Sequence, residues 1–384
     1  MQFEFMHLCW KMEHYYHDPQ GCWRDTWSVA SKIFLKEGTM KALAKTKPGP
    51  GLELIDAPIP TPGDEEILVK VKYASICGSD LHAYNWDPWA QEEITEFPRI
   101  LGHEVAGEVV EVGKNVKGIK VGDFAAFESH IWCGECYQCR LGEFHICQNM
   151  KILGFQVDGG FAEYMKINWK NAIKLPLDIP PHWAPVMEPM GNAVDTVYAE
   201  DVATKDVLIT GMGPIGLMAV SIAKASGANM VIATDVKEKR LQLAKKMGAD
   251  HVINPMETDL YEYVMDVTGG KGVDVMLEMS GNEHGFKDGV RTLRAGGRLS
   301  MLGLFPDEFK FNFNDYFIMK NLRVYAILGR HIYSTWFKTI NLLASGQVNL
   351  DPIITKITTL DDYVNAFEEL KRGEHAKVVF KISD

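Results

Sequence analysis

Four of the seven cysteines lie in one short run, CGECYQCRLGEFHIC, at residues 133–147. Cys133, Cys136 and Cys139 recur every third residue, and Cys147 follows further along the same run. Four thiolates at this spacing can surround one zinc ion as a closed tetrahedron, which is typical of a structural site. We therefore predict a structural zinc site. Unconnected or redox-active thiols and an iron–sulfur cluster remain as alternatives that the spacing alone leaves open.

A second group of possible metal ligands is spread along the chain. Cys77 ends the alternating stretch EEILVKVKYASIC, His103 and Glu104 lie in LGHE, and Glu188 lies in MEPMGNAV. One thiolate, one imidazole and one or two carboxylates would form a catalytic zinc site that keeps a position for water or substrate. A lone buried cysteine or a His-Glu pair is more often structural, so this prediction depends on the four residues together.

Two polar residues follow the first of these candidate ligands. Ser79 and His82 lie shortly after Cys77, where a hydroxyl and an imidazole could pass a proton outward. The alternative is a turn hydroxyl beside a surface histidine. We predict a proton relay as part of the same catalytic site.

A glycine pattern in the middle of the chain predicts a nucleotide-binding turn. The strand DVLITG runs into Gly211, Gly213 and Gly216, a helix follows, and a second strand, MVIATD, ends at Asp235. The glycines let the backbone approach a pyrophosphate, which the helix N-terminus attracts. Asp235 would bind the ribose hydroxyls and favour NAD over NADP, or it could cap the next helix, or do both. Arg240 lies where an arginine could tolerate the additional phosphate of NADP.

Apolar strands alternate with amphipathic helices through the second half of the chain. This alternation predicts an α/β fold with a doubly wound parallel sheet of about six strands. Two loops follow late strands of this sheet, at Leu302, Gly303 and Leu304 and at Ile327 and Leu328. We expect both loops at the C-terminal ends of the strands, where the nicotinamide half of a dinucleotide binds.

Composition and charge are those of an ordinary globular enzyme. The 384 residues allow two domains, and a net charge of −11 argues against a nucleic-acid surface. The sequence has no apolar run of about 18 residues, so we predict no membrane span. Residues 1–39 show neither regular periodicity nor a targeting signal, so we expect an extension outside the core fold, with the natural start at Met40. A reducing, cytoplasmic setting fits metal-binding cysteines better than disulfides.

The motifs together resemble those of the zinc-dependent medium-chain dehydrogenases, the alcohol dehydrogenase superfamily. The resemblance runs from Met40 to the C-terminus, in CGSDLH, GHEVAGEVVEVG, VGDFAAFE, the four-cysteine run and GMGPIG. Within that superfamily, HAYNWDPWAQ, EPMGNAVDTV, LEMSG, GLFP and LDPIIT are most similar to the L-threonine 3-dehydrogenases. The resemblance implies a GroES-like β-rich catalytic domain from residues 40–188 and 329–384, and a Rossmann NAD-binding domain from residues 189–328.

The resemblance also implies roles for single residues. The catalytic zinc ligands would be Cys77, His103 and Glu104, with Glu188 beside the metal, and the structural ligands Cys133, Cys136, Cys139 and Cys147. Ser79 and His82 match the proton-relay pair, with serine in place of the commoner threonine. His130 matches a pocket histidine linked to substrate choice. Positions that contact the cofactor match Gly211, Gly213, Pro214, Ile215, Gly216, Asp235, Arg240, Leu302, Gly303, Leu304, Ile327 and Leu328.

The implied activity is oxidation of the β-hydroxyl of L-threonine by NAD, which gives 2-amino-3-oxobutanoate and NADH. Two zinc ions per subunit and a homotetramer are implied as well. A polyol or 2,3-butanediol dehydrogenase is the alternative within the superfamily, because it uses the same machinery without partners for an ammonium and a carboxylate. A non-catalytic nucleotide-binding protein is a remoter alternative, since the ligand set is complete.

Overall fold

A computed structural model describes residues 38–384 of the chain. The predicted N-terminal extension therefore lies almost wholly outside the described residues. Strand β1 begins at Thr39, which is one residue before the predicted start of the core at Met40. In this described part, no helix is both long enough and apolar enough to cross a bilayer.

Segments from both ends of the described chain form a β-rich unit. Its main sheet has seven strands in the order β10-β6-β5-β3-β18-β17, and β9 also pairs with β3. A three-stranded sheet, β2-β1-β4, and a short pair, β7-β8, complete the unit. The strands are β1 (Thr39–Lys45), β2 (Glu53–Pro58), β3 (Glu66–Ser75), β4 (Arg99–Ile100), β5 (Glu104–Val112), β6 (Phe124–Phe127), β7 (His130–Ile131), β8 (Lys151–Ile152), β9 (Tyr164–Asn168), β10 (Ala172–Lys174), β17 (Ile354–Thr358) and β18 (Lys377–Lys381).

Strand β3 is the centre of this unit because it pairs with β5, β9 and β18. Val69 and Val71 are fully buried, whereas Lys70 between them is partly exposed. The apolar face packs into the core, and this burial fixes the register of the neighbouring strands. Ser75, the last residue of β3, lies opposite Glu104, the first residue of β5.

The second half of the chain forms a six-stranded parallel sheet in the order β13-β12-β11-β14-β15-β16. Helices cover it, and every residue of its central strand β11 is buried. The predicted α/β fold with a doubly wound sheet of about six strands is therefore confirmed. Its strands are β11 (Asp206–Thr210), β12 (Met230–Thr234), β13 (His251–Ile253), β14 (Val273–Glu278), β15 (Leu293–Met301) and β16 (Arg323–Ala326).

The helices connect the strands and close the two units against each other. They are α1 (Gly78–Asn85), α2 (Pro88–Glu93), α3 (Tyr137–Arg140), α4 (Met187–Val197), α5 (Pro214–Ala225), α6 (Glu238–Lys246), α7 (Leu260–Val267), α8 (Glu283–Thr292), α9 (Ser334–Ala344) and α10 (Tyr363–Arg372). Helix α8 ends at Thr292, and β15 begins at once at Leu293. The amphipathic pattern ends where Leu293 becomes buried in the parallel sheet.

Helix α4 lies between the two units and is buried on nearly every side. It contacts β5 and β6 of the β-rich unit, and α5, α9 and β15 of the parallel-sheet unit. The predicted domain boundary after residue 188 falls inside its first turn, where the helix continues without interruption. One helix therefore holds Glu188 in position against both units.

Candidate active site

Pairing of β3 with β5 brings Cys77 and His103 together. Because Ser75 lies opposite Glu104 in an antiparallel ladder, the residues just after β3 approach those just before β5. One ligand atom from each of Cys77, His103 and Glu104 lies within 4.8 Å of the other two. Glu188 is outside this group of three. The structure therefore places a thiol, an imidazole and a carboxylate at one point, although they come from separate segments.

The orientation of His103 leaves one ring nitrogen directed at that point. Its Nδ1 faces Asp80 Oδ1 at 3.7 Å, while its Nε2 lies 3.4 Å from the hydroxyl of Ser79. Asp80 is fully buried, and its other oxygen accepts the backbone N–H of Cys77 at 2.8 Å. A carboxylate behind the distal nitrogen of a histidine is the usual arrangement for fixing a metal ligand.

The Glu104 carboxylate is paired with a buried lysine. Lys377 Nζ lies 2.6 Å from Glu104 Oε1, and both side chains are almost completely buried. The hydroxyl of Ser75 donates to the second oxygen of Glu104, and the ammonium of Lys377 also donates to the carbonyl oxygen of Ile76. A buried charge without a partner is costly, so Lys377 makes an ionised Glu104 tolerable beside the donor cluster.

Glu188 is held in the same way by an arginine. Arg330 Nη2 lies 2.7 Å from Glu188 Oε1, and the hydroxyl of Ser129 donates to the same oxygen at 2.6 Å. Arg330 also makes a two-nitrogen contact with the buried carboxylate of Glu128. Burial raises the pKa of Glu128, but Arg330, His130 and Trp336 together outweigh burial and lower the pKa to about 2. Glu188 therefore lies beside the donor cluster as one member of a buried ionic network.

The remaining predicted catalytic residues lie around these groups. Ser79 faces His103, as described above, and His82 is half-exposed on helix α1. His130 Nδ1 donates a hydrogen bond to the ionised carboxylate of Glu128 at 2.9 Å, and the His130 ring lies against Gly329. A side chain at position 329 would approach His130 Cε1 to 3.0 Å, so the loop that ends there passes close over this ring. The structure brings His130 and the candidate cofactor loop into contact.

The four clustered cysteines bring their sulfur atoms within 4.8 Å of one another. The loop supports them with backbone donors: the N–H of Cys133 points to Cys147 Sγ at 3.3 Å, and that of Cys136 to Cys133 Sγ at 3.4 Å. Such N–H groups stabilise thiolates, the form in which cysteine binds a metal. The lobe therefore presents a set of four sulfurs, and no other His, Cys, Asp or Glu among residues 38–384 belongs to this group of donors.

The glycine-rich turn between β11 and α5 is shaped for a close backbone approach. Gly211 has a φ of +86°, and a side chain at Gly216 would come within 1.9 Å of the Gly211 carbonyl oxygen. At Gly213, in contrast, a side chain would meet no atom within 4 Å. The turn is thus tightly packed on one side and open at the N-terminus of α5, where Pro214 begins the helix and Ile215 follows. This is the geometry that accommodates a pyrophosphate.

Asp235 connects this turn to the next helix. Its carboxylate accepts the backbone N–H of Met212 at 2.8 Å and that of Lys237 at 2.8 Å, and Arg240 Nη1 lies 3.4 Å away. The structure does not support the capping alternative, because Asp235 reaches the N–H of Lys237, which precedes α6, and no N–H of the first helical turn. The two predicted cofactor loops lie at the C-terminal ends of their strands. Leu302 and Gly303 follow β15, and Ile327 follows β16. The side chains of Leu304 and Leu328, in the same loops, are largely exposed.

Sequence reasoning missed several residues that complete the site. They are Asp80, Glu128, Arg330, Lys377 and Glu278, and all five are buried. Glu278 ends β14 and accepts the backbone N–H groups of Ser280 and Gly281 beside the glycine-rich turn. Burial raises the pKa of Glu278. Two of the five could have been found from the sequence. Asp80 follows the candidate ligand Cys77 by three residues in CGSDLH, and Lys377 is a charged residue at the start of an otherwise apolar strand.

Comparison with known proteins gives a consistent result. Residues 63–177 match the alcohol dehydrogenase GroES-like domain, and residues 214–345 match the zinc-binding dehydrogenase domain. L-threonine 3-dehydrogenase from Pyrococcus horikoshii is 51% identical over 344 residues, which cover 89% of this chain and 99% of the relative. The chain belongs to the zinc-binding alcohol dehydrogenase family.

Solved structures agree with this dehydrogenase fold. An Escherichia coli oxidoreductase of unknown specificity superimposes with a TM-score of 0.84 at 29% identity, covering 90% of this chain and all of the other. The 2R,3R-butanediol dehydrogenase from Bacillus subtilis superimposes with a TM-score of 0.81 at 27% identity, covering 89% of this chain and 99% of the other. The shared architecture therefore extends over both units of the dehydrogenase.

The residues of this dehydrogenase fit the zinc ions that its family binds. Burial lowers the pKa of His103, but Asp80 and Cys77 outweigh burial and raise it to about 10. The cluster thus has an excess of negative groups that a divalent cation would neutralise. His103 Nδ1 and Asp80 Oδ1 have no hydrogen-bond partner, yet they face each other, so a small adjustment would leave Nε2 as a metal donor. The donor types of both sets are those that zinc prefers.

Proposed function

We propose that this dehydrogenase is an L-threonine 3-dehydrogenase that uses NAD as its oxidant. The observation that carries the proposal is the relative of that name, which matches about half of the aligned residues along almost its whole length. The product would be 2-amino-3-oxobutanoate, formed when the β-carbon of threonine loses a hydride and its hydroxyl loses a proton.

We place the reaction at the cluster of Cys77, His103 and Glu104, with Glu188 nearby. When bound, zinc supplies a Lewis acid that lowers the pKa of the substrate hydroxyl, and NAD supplies the hydride acceptor. Side chains of the protein transfer the proton. Ser79 lies next to His103 and can take part in moving the hydroxyl proton toward His82, whose exposed ring can deliver it to solvent.

Two buried cations pair with the acidic groups of the site and hold them in place. Lys377 pairs with Glu104, which belongs to the donor cluster, and Arg330 pairs with Glu188, so neither buried carboxylate lacks a cationic partner. Arg330 follows directly on the loop that includes Leu328, which we assign to the nicotinamide end of the cofactor. Preorganised charges of this kind cost no rearrangement during the reaction.

We assign NAD rather than NADP as the preferred cofactor because of Asp235. Its carboxylate sits at the end of β12, beside the glycine-rich turn, where a 2′-phosphate would meet a negative charge. Arg240 is already engaged with Asp235, so it is less free to bind that phosphate. We further propose a homotetramer in the cytoplasm, with the exposed edge strand β16 as one place for subunit contact.

A diol dehydrogenase is the second candidate, favoured by the structural likeness to the Bacillus subtilis butanediol enzyme. A substrate panel separates the two. We expect reduction of NAD with L-threonine at a kcat/KM at least about tenfold above that with 2R,3R-butanediol or sorbitol, since only threonine can use partners for both an ammonium and a carboxylate. D-Threonine is the matched control, because it has the same functional groups in the opposite configuration. Faster oxidation of either diol would reject the assignment.

A further inference from the structure

His82 lies at the outer end of a continuous aromatic wall. Its ring meets Trp89 edge-on at a centroid distance of 5.6 Å, and Trp89 meets Phe155 at 5.1 Å. Phe155 in turn packs against the ring of His103 at 5.6 Å. The candidate relay histidine and a candidate metal ligand are therefore parts of one packed surface, with His103 at its buried end and His82 at its solvent end.

Asp87 fixes the ring of His82 from the other side. Its Oδ2 is in hydrogen-bond contact with His82 Nδ1, and its Oδ1 accepts the backbone N–H of Ala90 at 3.1 Å. The second contact caps helix α2, which begins at Pro88, so the carboxylate has little freedom to turn away. Partial burial raises the pKa of Asp87, but His82 and the N–H of Ala90 outweigh it and hold the pKa below its usual value.

The contact determines which nitrogen of His82 carries the proton. An ionised carboxylate can only accept hydrogen bonds, so the Nδ1 that touches Asp87 must donate. In the neutral ring Nε2 then keeps its lone pair and can accept a proton. A carboxylate behind Nδ1 also stabilises the imidazolium that forms when Nε2 is protonated, which is the logic of an acid–histidine pair in general base catalysis.

We propose that Asp87 is a positioning residue of the proton-transfer route, holding His82 as the Nδ1–H tautomer with Nε2 open to receive the substrate proton. The inference rests on the proposed function and adds to it the last step of the route. The proton leaves the substrate hydroxyl, passes by way of Ser79 to His82 Nε2, and leaves from the same Nε2 to a buffer base. His82 and Asp87 end as they began, and the two electrons leave with the hydride.

Three variants separate this role from helix capping. Asp87→Ser keeps a capping oxygen but is too short to reach His82, whereas Asp87→Asn keeps a neutral acceptor. Asp351→Asn is the matched control, since Asp351 contacts His182 at 3.0 Å in a pair outside the site. We expect Asp87→Ser to lower kcat by about 10- to 100-fold with an unchanged KM for NAD, Asp87→Asn by less, and Asp351→Asn not at all.

Rescue by an external base tests the same point. His82 is half-exposed, so added imidazole can take over the proton, and we expect it to restore the kcat of Asp87→Ser at least about threefold without affecting the wild type. A capping defect would instead lower the melting temperature and would not respond to imidazole. If Asp87→Ser loses activity together with thermal stability and imidazole does not restore kcat, the proposal is overturned.

A spectroscopic measurement is independent of turnover. In protein labelled with 15N-histidine, with His82 assigned from its absence in His82→Gln, we expect the Nδ1–H tautomer in the wild type and a mixture in Asp87→Ser. An Nε2–H tautomer in the wild type would overturn the proposal even in an enzyme that oxidises threonine. If the tautomer is as expected but threonine is not a substrate, the proposed function fails and the positioning role of Asp87 stands.

Discussion

The two metal-donor sets of this dehydrogenase are built in opposite ways. The four cysteines of the structural set come from one loop, and the supporting N–H groups come from the same loop. The catalytic set combines a residue after β3 with residues at the start of β5, and its carboxylates depend on Lys377 and Arg330 from distant parts of the chain. A closed site can be formed locally, whereas a reactive site must be assembled from several elements.

The two donor sets depend on different interactions for their stability. In the lobe, the ion itself holds together a loop with little apolar packing, so zinc binding and local folding are one process. At the catalytic cluster, strands β3, β5 and β18 and helix α4 fix the donors before any ion arrives. Removal of a ligand should therefore affect stability in one set and reactivity in the other.

The largest expected effect compares one cysteine from each set. We expect Cys77→Ser to lower kcat at least about 10³-fold, because a Lewis acid supplies several kcal/mol, while the melting temperature changes by about 2 °C or less. We expect Cys133→Ser to lower the melting temperature by about 10 °C or more and to retain activity at low temperature. Steady-state kinetics measures kcat, calorimetry measures the melting temperature, and zinc analysis shows which variant has lost an ion. Equal losses of activity and stability in the two variants would remove the distinction.

A second prediction concerns the counter-ion of Glu104. Lys377→Met leaves a fully buried carboxylate without its partner, so we expect a loss of about 3–5 kcal/mol in the free energy of unfolding. The matched control is Lys166→Met, which removes the exposed partner of Glu66 and should cost about 1 kcal/mol or less. Denaturant titration measures both. Similar losses in the two variants would mean that the buried pair does not stabilise the catalytic set.

The smallest effect sharpens the description of the cysteine lobe. The side-chain amide of Asn149 reaches Cys133 Sγ at 3.7 Å, from outside the four ligands. We expect Asn149→Ala to weaken zinc binding at this site by about tenfold, because groups that contact metal ligands tune their affinity. Competition with a chromophoric chelator measures the affinity. Asn115→Ala, at an exposed residue elsewhere, should have no effect, and an unchanged affinity in Asn149→Ala would show that the loop alone sets it.

The local sequence predicted those parts of the fold and the site that depend on neighbouring residues. The cysteine spacing, the glycine-rich turn and the alternating strands all belong to this class. The positions of Lys377 and Arg330 could not be predicted, because they follow from the pairing of β18 with β3 and from packing against α4. Asp87 was not among the predicted residues either, because its contact with His82 becomes visible only when helices α1 and α2 are in place.

Similarly, the sequence identified Glu188 as a candidate ligand but could not predict its partner. Its contacts with Ser129 and Arg330 link three segments that are far apart in the chain. The same limit applies to Asp235, for which both alternatives were open. The structure shows that one carboxylate contacts the glycine-rich turn and the residue that precedes α6 together, which a linear pattern of residues does not distinguish.

The pairing of Lys377 with Glu104 has a consequence for biosynthesis. The two residues are separated by 273 positions, and the whole parallel sheet is encoded between them. While the ribosome is still translating that sheet, β3 and β5 can already meet, but Glu104 has no cation to offset its charge. The nascent β-rich unit therefore has to wait, incomplete, until β18 emerges and inserts beside β3, so the reactive centre is among the last parts of the newly made enzyme to mature.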